Sequence, residues 1–346
     1  MKLRQIGEIN LLKKLSDRYK TEDNTSLLVG IGDDAAVIAP QNRKIIITTD
    51  MMNEGIHFDM AFSSPYNLGF KLVSVNVSDI YAMGGSPEYL FLDISIKGDM
   101  DEGFFWSLFD GISDAMSIYG VRLAGGDLCA TRNDMVLAAT VIGFGDRIIT
   151  RKGATVGDKI YVTGNLGDSS CGLEILKRLS NESIERLKNK DTLPKPLEMK
   201  DSGIIIDQDI AKPLINRHLM PVARNSYKFA DYASSMIDIS DGLFIDLIRI
   251  CEESKVGAKV YLDKIPVSDE MKKASEIMGY DYLHFATAGG EDYEILFTAS
   301  YDFDIQDIET KITCIGEITQ KDRIVVDKLG RSFPMKSEGY QHFGIT

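Results

Sequence analysis

Residues 44–50 read KIIITTD, a run of β-branched side chains that ends in two hydroxyls and a carboxylate. β-Branched residues favour extended backbone, so the sequence predicts a strand at Lys44–Thr49. The oxygen-bearing side chains of Thr48, Thr49 and Asp50 come directly after the apolar run. An apolar strand followed by an acidic residue beside glycine, serine or threonine recurs along the chain, and this order organises the rest of the prediction.

A helix is predicted after this strand. Ser64-Pro65 supplies an N-cap and a first-turn proline, and Gly84-Gly85 stops the helical pattern. Asn76 and Asp79 are three residues apart and therefore share one face of this helix. The other elements predicted for this half are a helix through Ile9–Tyr19, a strand at Glu88–Ile96, a helix at Asp101–Tyr119 and a strand at Asp134–Phe144. Strands and helices mixed in this order predict an α/β (α+β) fold.

The chain is long enough to form two globular domains, with 346 residues of which 44% are hydrophobic. The basic, glycine-bearing stretch Arg147–Lys159 marks the predicted boundary, which gives domains at 1–148 and 149–346. The second half continues with strands at Lys159–Thr163 and Met236–Ile239 and a helix at Leu243–Ser254. The polar stretch Ser180–Gln208 is predicted to be an exposed helical insertion or a loop.

Composition excludes several classes of partner. The formal net charge is −13, which disfavours binding to nucleic acid or to an anionic membrane. No apolar run is long enough to span a bilayer, and charges interrupt the N-terminal stretch, so we expect a cytoplasmic protein. The four cysteines form no CxxC pair and are interpreted as small buried hydrophobic residues.

Acidic residues concentrate in short clusters that also contain glycine or hydroxyl side chains. Five such clusters occur, at Gly30–Asp34, Thr48–Asp50, Asn76–Asp79, Gly125–Asp127 and Asp238–Gly242, and a sixth lies at Gly289–Asp292. Each of them alone is typical of a turn. Converging carboxylates repel one another unless a cation lies between them, and carboxylate and hydroxyl oxygens are the ligands that Mg²⁺ prefers. Together they predict one magnesium cluster.

The common nucleotide-binding motifs are missing, since neither GxxxxGK[ST] nor a strand-linked GxGxxG occurs. Phosphates would then be held through metal ions and an occasional arginine, for which Arg151 is the candidate; a solvated linker charge is the alternative. His57 follows Asp50 by seven residues, in a predicted loop. A contact from His57 to a substrate phosphate is favoured over proton transfer. No GxSxG motif or cysteine–base pair indicates covalent catalysis.

In this order the clusters resemble the thiamine-monophosphate kinase family. The resemblance spans nearly the whole chain and includes GIGDDAAV at 30–37, VNVSD at 75–79, GGD at 125–127, YVTG at 161–164, DISDGL at 238–243 and GGEDYE at 289–294. It implies a two-domain fold like that of aminoimidazole-ribonucleotide synthetase, with an N-terminal sheet domain that dimerises and a C-terminal α/β domain. It also implies a homodimer that uses ATP, thiamine monophosphate and several Mg²⁺ ions to make thiamine diphosphate and ADP.

The resemblance also implies roles for individual residues. The implied magnesium ligands are Asp34, Thr48, Thr49, Asp50, Asp79, Asp127, Asp238 and Asp241, of which Asp50, Asp79, Asp127 and Asp241 are expected to be catalytic. The implied ATP contacts are Gly126, Asp127, Arg151 and Ser240. The implied substrate contacts are His57, Glu291 and Tyr340. Gln341 departs from the family pattern beside that aromatic residue, and RHLMP at 217–221 resembles an RHLxP stretch of the family.

Two other functions remain open from the sequence. One is a different ATP-using member of the same superfamily, such as a selenophosphate synthetase or an amidine-forming ligase. Selenophosphate synthetases typically carry a reactive cysteine or selenocysteine near the N-terminus, whereas no cysteine precedes Cys129 here. The other is a non-catalytic nucleotide-binding regulator, which the intact carboxylate clusters disfavour.

Overall fold

The computed structural model describes residues 1–19, 26–31, 35–39, 41–188, 196–200, 203–300 and 310–340. It divides into two compact units, Met1–Tyr81 with Gly85–Ile148, and Ala82–Gly84 with Ile149–Thr346. In these described parts, no helix combines the length and apolarity that crossing a membrane requires.

The first unit alternates helices and strands. Its elements are α1 (Leu3–Ile6), α2 (Glu8–Tyr19), β1 (Leu27–Val29), β2 (Val37–Ile38), β3 (Lys44–Asn53), α3 (Pro65–Ala82), β4 (Ser86–Lys97), α4 (Glu102–Tyr119), β5 (Arg122–Thr131) and β6 (Val136–Gly145). The helices predicted from Ile9–Tyr19, from Pro65 and from Asp101–Tyr119 are present within a few residues of the expected bounds. The predicted strands at 44–49, 88–96 and 134–144 are present as β3, β4 and β6.

A four-stranded sheet in the order β3-β6-β4-β5 carries this unit. Strand β6 pairs antiparallel with both β3 and β4, while β4 and β5 are parallel. Helices α3 and α4 pack so closely that a Cβ on Gly111 would lie 1.9 Å from the Tyr66 carbonyl oxygen. One face of β3 is open. Ile45, Ile47 and Met51 share this face of the strand, and their side chains are more than half exposed.

The second unit is built on a larger sheet. Its elements are β7 (Lys159–Thr163), α5 (Asp168–Arg178), α6 (Asn181–Lys188), β8 (Leu197–Glu198), β9 (Ile205–Ile206), α7 (Gln208–Leu219), β10 (Ala233–Asp238), α8 (Leu243–Ser254), β11 (Gly257–Tyr261), α9 (Asp269–Met278), α10 (Tyr282–Ala288), β12 (Ile295–Ala299), β13 (Ile312–Thr319), β14 (Arg323–Val326) and β15 (Ser332–Pro334). Seven strands form a sheet in the order β10-β12-β7-β13-β11-β14-β15. Stacked Phe229, Phe297 and Tyr161 lie in its core.

Three details differ from the sequence prediction. Asp50 and Asp127 lie within β3 and β5 rather than after a strand end, because both strands continue through their polar residues. The 180–208 stretch is not simply exposed, because Leu197, Met199 and Ile206 are buried beside the short β8–β9 pair. Cys171 and Cys251 are buried as predicted, but Cys129 is exposed because it lies on the accessible part of β5.

Candidate active site

Strand β3 and helix α3 bring three of the predicted site residues together in the first unit. The Thr48 hydroxyl donates to Asp79 Oδ2 at 2.5 Å, and the Asp50 backbone N–H donates to Asn76 Oδ1 at 2.9 Å. Asn76 and Asp79 share a face of α3, as their spacing predicts. Thr48 and Asp50 lie on the same side of β3, because alternate residues of a strand point the same way. The result is a group of hydroxyl and carboxylate oxygens along one strand and one helix.

Thr49 points away from this group. Its hydroxyl donates to the Ala139 carbonyl oxygen at 3.0 Å and accepts from the Thr140 hydroxyl at 3.2 Å, both on β6. Neighbouring residues of a strand face opposite sides of the sheet, so Thr48 and Thr49 are on different faces. The pattern TTD alone gives no indication of which of the two threonines faces the helix.

Asp127 lies in a different place, on the far edge strand β5. Strands β6 and β4 separate it from β3, which corresponds to about 14 Å between the backbones of the two edge strands. Its register partner on β4 is Asp93, a residue that the sequence prediction missed. Like charges opposite one another in a sheet are unfavourable without a counter-ion, so this pair suits a cation. The acids of this unit therefore lie in two groups, not in the single predicted cluster.

Gly126 lets β5 approach β4 very closely. Its φ is 147°, and a Cβ at this position would lie 2.0 Å from the Leu92 carbonyl oxygen. A cavity of about 810 Å³ borders Gly126 and Asp127 and is otherwise mainly apolar, with Leu15, Phe91 and Phe109 in its wall. A polar rim beside an apolar cavity of this size is typical of a small-molecule site.

His57 lies in the turn that follows β3. Its Nδ1 accepts a hydrogen bond from the Asn53 backbone N–H at 3.1 Å, and the His57 backbone N–H donates to the Asn53 carbonyl oxygen at 2.9 Å. A neutral ring with Nδ1 as acceptor carries its proton on Nε2. His57 is therefore held as a donor at Nε2, which suits a contact to an anion better than removal of a proton.

The donor chemistry of the Thr48 group fits a hard divalent cation, since every side-chain ligand atom is oxygen. Among the residues that the structure describes, no three His, Cys, Asp or Glu side chains converge as a ready metal cage. Mg²⁺ commonly keeps several waters and takes only one or two protein carboxylates, so a complete cage is not required. Asp34 lies outside the described residues, and its assignment stays a prediction.

The second unit holds Asp241 in an acid–arginine–acid arrangement at the start of α8. Arg249 donates to Asp241 Oδ2 at 2.6 Å and to Asp246 Oδ1 at 2.5 Å. The other oxygen of Asp246 accepts from the backbone N–H groups of Asp241 and Gly242, each at 3.2 Å. Burial raises the pKa of Asp246 to about 6, while Arg249 opposes that shift. This network fixes the loop that carries Ser240 and Asp241.

The Gly289–Glu294 loop packs directly on the Ser240 loop. The Glu291 backbone N–H donates to the Ser240 carbonyl oxygen at 2.8 Å, and the Tyr293 N–H donates to the Ile239 carbonyl oxygen at 2.9 Å. The Tyr340 N–H donates to the Asp241 carbonyl oxygen at 3.0 Å, and its side chain is about half exposed. The structure therefore brings together Ser240, Asp241, Glu291 and Tyr340, while Asp238 is buried at the end of the neighbouring strand β10.

A buried ion network holds the Glu294 end of the Gly289–Glu294 loop in place. The Glu294 carboxylate, almost fully buried, pairs with Arg217 and accepts two hydrogen bonds of 2.8 Å from Arg224. Thr163 donates to it at 2.6 Å, and Gly164, at φ 57°, leaves no room for a Cβ beside the carboxylate. The sequence prediction gave no role to these residues, because the two arginines are 70 or more positions away from Glu294.

Arg151 lies at the opposite end of α8 from Ser240. Its carbonyl oxygen accepts from the Ser254 hydroxyl at 3.1 Å, in the last residue of the helix. A helix of 12 residues is about 18 Å long, so the backbone of Arg151 is well separated from the Ser240 loop. The side chain of Arg151 is exposed, and its assignment to ATP stays a prediction.

Asp246 and Arg249 were also missed from the sequence, although a signal for them exists. They lie three residues apart on the first turns of α8, at a spacing that allows an ion pair, and they follow the Asp241-Gly242 turn directly. An acidic residue in the first turn of a helix, directly after an acidic loop, could have indicated that Asp246 and Arg249 hold that loop in place.

Comparison with known proteins agrees with this architecture. Residues 32–144 match the family model for the N-terminal domain of AIR synthase related proteins, and residues 155–327 match that for the C-terminal domain. The chain is 34% identical over 349 residues to the thiamine-monophosphate kinase of Escherichia coli strain K12, covering 97% of this chain and 98% of the relative. It is 30% identical over 345 residues to that of Aquifex aeolicus, covering 99% and 100%.

A solved structure, AaThiL complexed with AMPPCP and TMP, superposes with a TM-score of 0.72 at 29% identity, covering 99% of both chains. These relatives define an ATP-dependent kinase with the two-domain α/β fold of the AIR synthase related proteins, and the predicted fold class is confirmed. Within that class, the chain belongs to the thiamine-monophosphate kinase family.

Proposed function

We propose that this chain transfers the γ-phosphate of ATP directly to thiamine monophosphate, giving thiamine diphosphate and ADP in a Mg²⁺-dependent reaction. The observation that carries the proposal is the group formed by Thr48, Asp50 and Asp79, with its hydroxyl–carboxylate contact of 2.5 Å. Its support is the family, in which one relative has been solved with AMPPCP and TMP. We therefore expect phosphoryl transfer to stop when divalent metal is removed.

The acceptor in this reaction needs no general base. A phosphate monoester loses its second proton near pH 6, so its oxygen is already largely ionised at neutral pH. The obstacle is the repulsion between two polyanions, and bound Mg²⁺ would offset that charge. The work of the protein is then positioning and electrostatics. Carboxylates such as Asp79 and Asp127 suit that role, because their oxygens are ligands that Mg²⁺ prefers.

The predicted residues other than Asp34 and Thr49 take definite parts in this proposal. Thr48, Asp50, Asp79 and Asp127 would hold metal ions in the first unit, where Gly126 would also contact the nucleotide. In the second unit, Asp238 and Asp241 would bind metal, and Ser240 and Arg151 would contact ATP. His57, through its Nε2 donor, would bind the substrate phosphate, and Glu291 and Tyr340 would contact the thiamine.

The reaction is tested by phosphorus NMR of the purified protein with ATP, Mg²⁺ and thiamine monophosphate. We expect the monophosphate signal to be replaced by the two coupled signals of a diphosphate, together with ADP. Free thiamine in place of the monophosphate is the control and should give no product. ADP without a thiamine diphosphate signal, or no ATP consumption at all, would favour another acceptor or a non-catalytic regulator.

We propose in addition that the chain forms a homodimer through the open face of the four-stranded sheet in its first unit. Ile45, Ile47 and Met51 expose apolar side chains in a row along the edge strand β3, an arrangement that favours association. A second copy is the proposed occupant, as the family resemblance implies.

Sedimentation equilibrium tests this assembly. The wild-type chain should sediment at twice its mass of 38.4 kDa. Ile47→Lys should shift it to the monomer, because the new charge would be buried in the interface. Ile9→Lys, at an exposed position on α2, is the matched control and should remain dimeric. A monomeric wild-type chain would contradict the proposal.

A further inference from the structure

We propose that His218 is a positioning residue that orients the Glu291 carboxylate toward the substrate. This inference rests on the proposed function, in which Glu291 contacts the thiamine. His218 lies in the last turn of α7 and is buried, with 3% of its surface exposed. Its Nδ1 lies 3.2 Å from Glu291 Oε2 and 3.2 Å from the Ser169 hydroxyl. The Glu291 side chain is partly exposed, and Oε2 is the oxygen that lies next to His218.

The contact selects one proton position on the histidine ring. An ionised carboxylate can only accept hydrogen bonds, so Nδ1 must carry the hydrogen that it shares with Glu291. The Ser169 hydroxyl then lies beside Nδ1 as an acceptor. The reverse arrangement, with Ser169 donating to a bare Nδ1, would place a ring lone pair against the carboxylate. His218 is therefore a donor to Glu291, and its ring orientation fixes which way the carboxylate points.

The backbone of the loop is held by other contacts. Asp292 Oδ2 accepts from the Gly167 N–H at 2.6 Å and Oδ1 accepts from the Ser169 N–H at 3.2 Å, while Arg217 donates to the Asp292 carbonyl oxygen at 2.5 Å. The Glu291 N–H is held by Ser240. Loss of the His218 side chain should thus leave the loop in place and release only the carboxylate of Glu291.

Backbone strain at the same loop supports a functional role. Glu291 and Tyr293 have φ values of 64° and 51°, in the left-handed region that side chains other than glycine seldom adopt. Strained conformations persist where surrounding contacts enforce them, and they concentrate at ligand sites. Glu291, one of these two residues, is also the residue whose carboxylate lies next to His218.

The proposal is tested by comparing His218→Asn with His218→Gln. The Asn amide places a donor near the position of Nδ1, whereas the longer Gln places its donor near that of Nε2, away from Glu291. We expect His218→Gln to raise KM for thiamine monophosphate about tenfold with little change in KM for ATP, and His218→Asn to stay close to wild type. His218→Leu, which keeps the volume but has no donor, should match the Gln variant.

A double-mutant cycle separates positioning from packing. In a Glu291→Ala background the further change His218→Gln should have little effect on KM for thiamine monophosphate, because the carboxylate that His218 contacts is already absent. Provided that the wild type transfers phosphate, two results would overturn the proposal. One is equal KM values for the Asn and Gln variants, and the other is additive effects of the two changes on KM in the cycle. Failure of the proposed function is distinct, since the wild type would then form no thiamine diphosphate.

Discussion

Asp79→Asn is expected to lower the turnover number for ADP formation about 100-fold or more at saturating ATP, thiamine monophosphate and Mg²⁺. The Asp79 carboxylate accepts from the Thr48 hydroxyl at 2.5 Å on the edge of β3, beside Asp50. Asparagine keeps the size and one acceptor oxygen but removes the negative charge that a divalent cation requires. The effect is measured as the steady-state rate of ADP release.

Asp134→Asn is the matched control for this change. Asp134 is exposed in the turn between β5 and β6, and its substitution removes the same charge from the same unit. We expect the turnover of the control to stay within a factor of two of wild type, since surface substitutions usually have little effect. Circular dichroism should show both variants folded. An Asp79→Asn enzyme with near-normal turnover would refute the metal assignment at this position.

Glu294→Gln is expected to lower the free energy of unfolding by about 3 to 5 kcal/mol, because it leaves two arginines without their buried counter-charge. Glu294 is about 1% exposed and pairs with Arg217 and Arg224. Glutamine fits the same space but brings no charge. Urea unfolding followed by fluorescence gives the free energy of each protein.

Glu317→Gln provides the comparison for this loss of stability. Glu317 also contacts two cations, Lys159 at 3.3 Å and Lys259 at 3.6 Å, but its side chain is about one-third exposed. Exposed pairs contribute at most about 1 kcal/mol, so the control should unfold near the wild-type urea concentration. Similar urea midpoints for the two variants would show that the burial of Glu294 does not determine how much its ion pairs contribute to the free energy of unfolding.

Local sequence signals predicted the elements that carry the first group of acids. The β-branched run of β3 and the Ser64-Pro65 start of α3 gave both elements, and the spacing of Asn76 and Asp79 gave their shared face. These signals are local, because periodicity and capping depend on neighbours within a few residues. They therefore identify which side chains are available to a site.

The arrangement of those elements was not predictable in the same way. Strand order places β6 and β4 between β3 and β5, and this separates Asp127 from Asp50, which no local pattern reveals. Strand β5 itself was missed, since Gly125 and Gly126 interrupt its apolar run. The contact between His218 and Glu291 joins residues 73 positions apart in the chain, and the sequence carries no periodic signal for such a pair.

Binding of Mn²⁺, followed by electron paramagnetic resonance, tests most directly the claim that these side-chain oxygens hold divalent cations. The wild-type chain and Asp79→Asn would be titrated with Mn²⁺ in the presence of AMPPCP, with the same analogue alone as background. The account predicts that the variant binds at least one ion fewer, or binds it at least tenfold more weakly, than the wild type. Equal stoichiometry and equal affinity in the two proteins would contradict it.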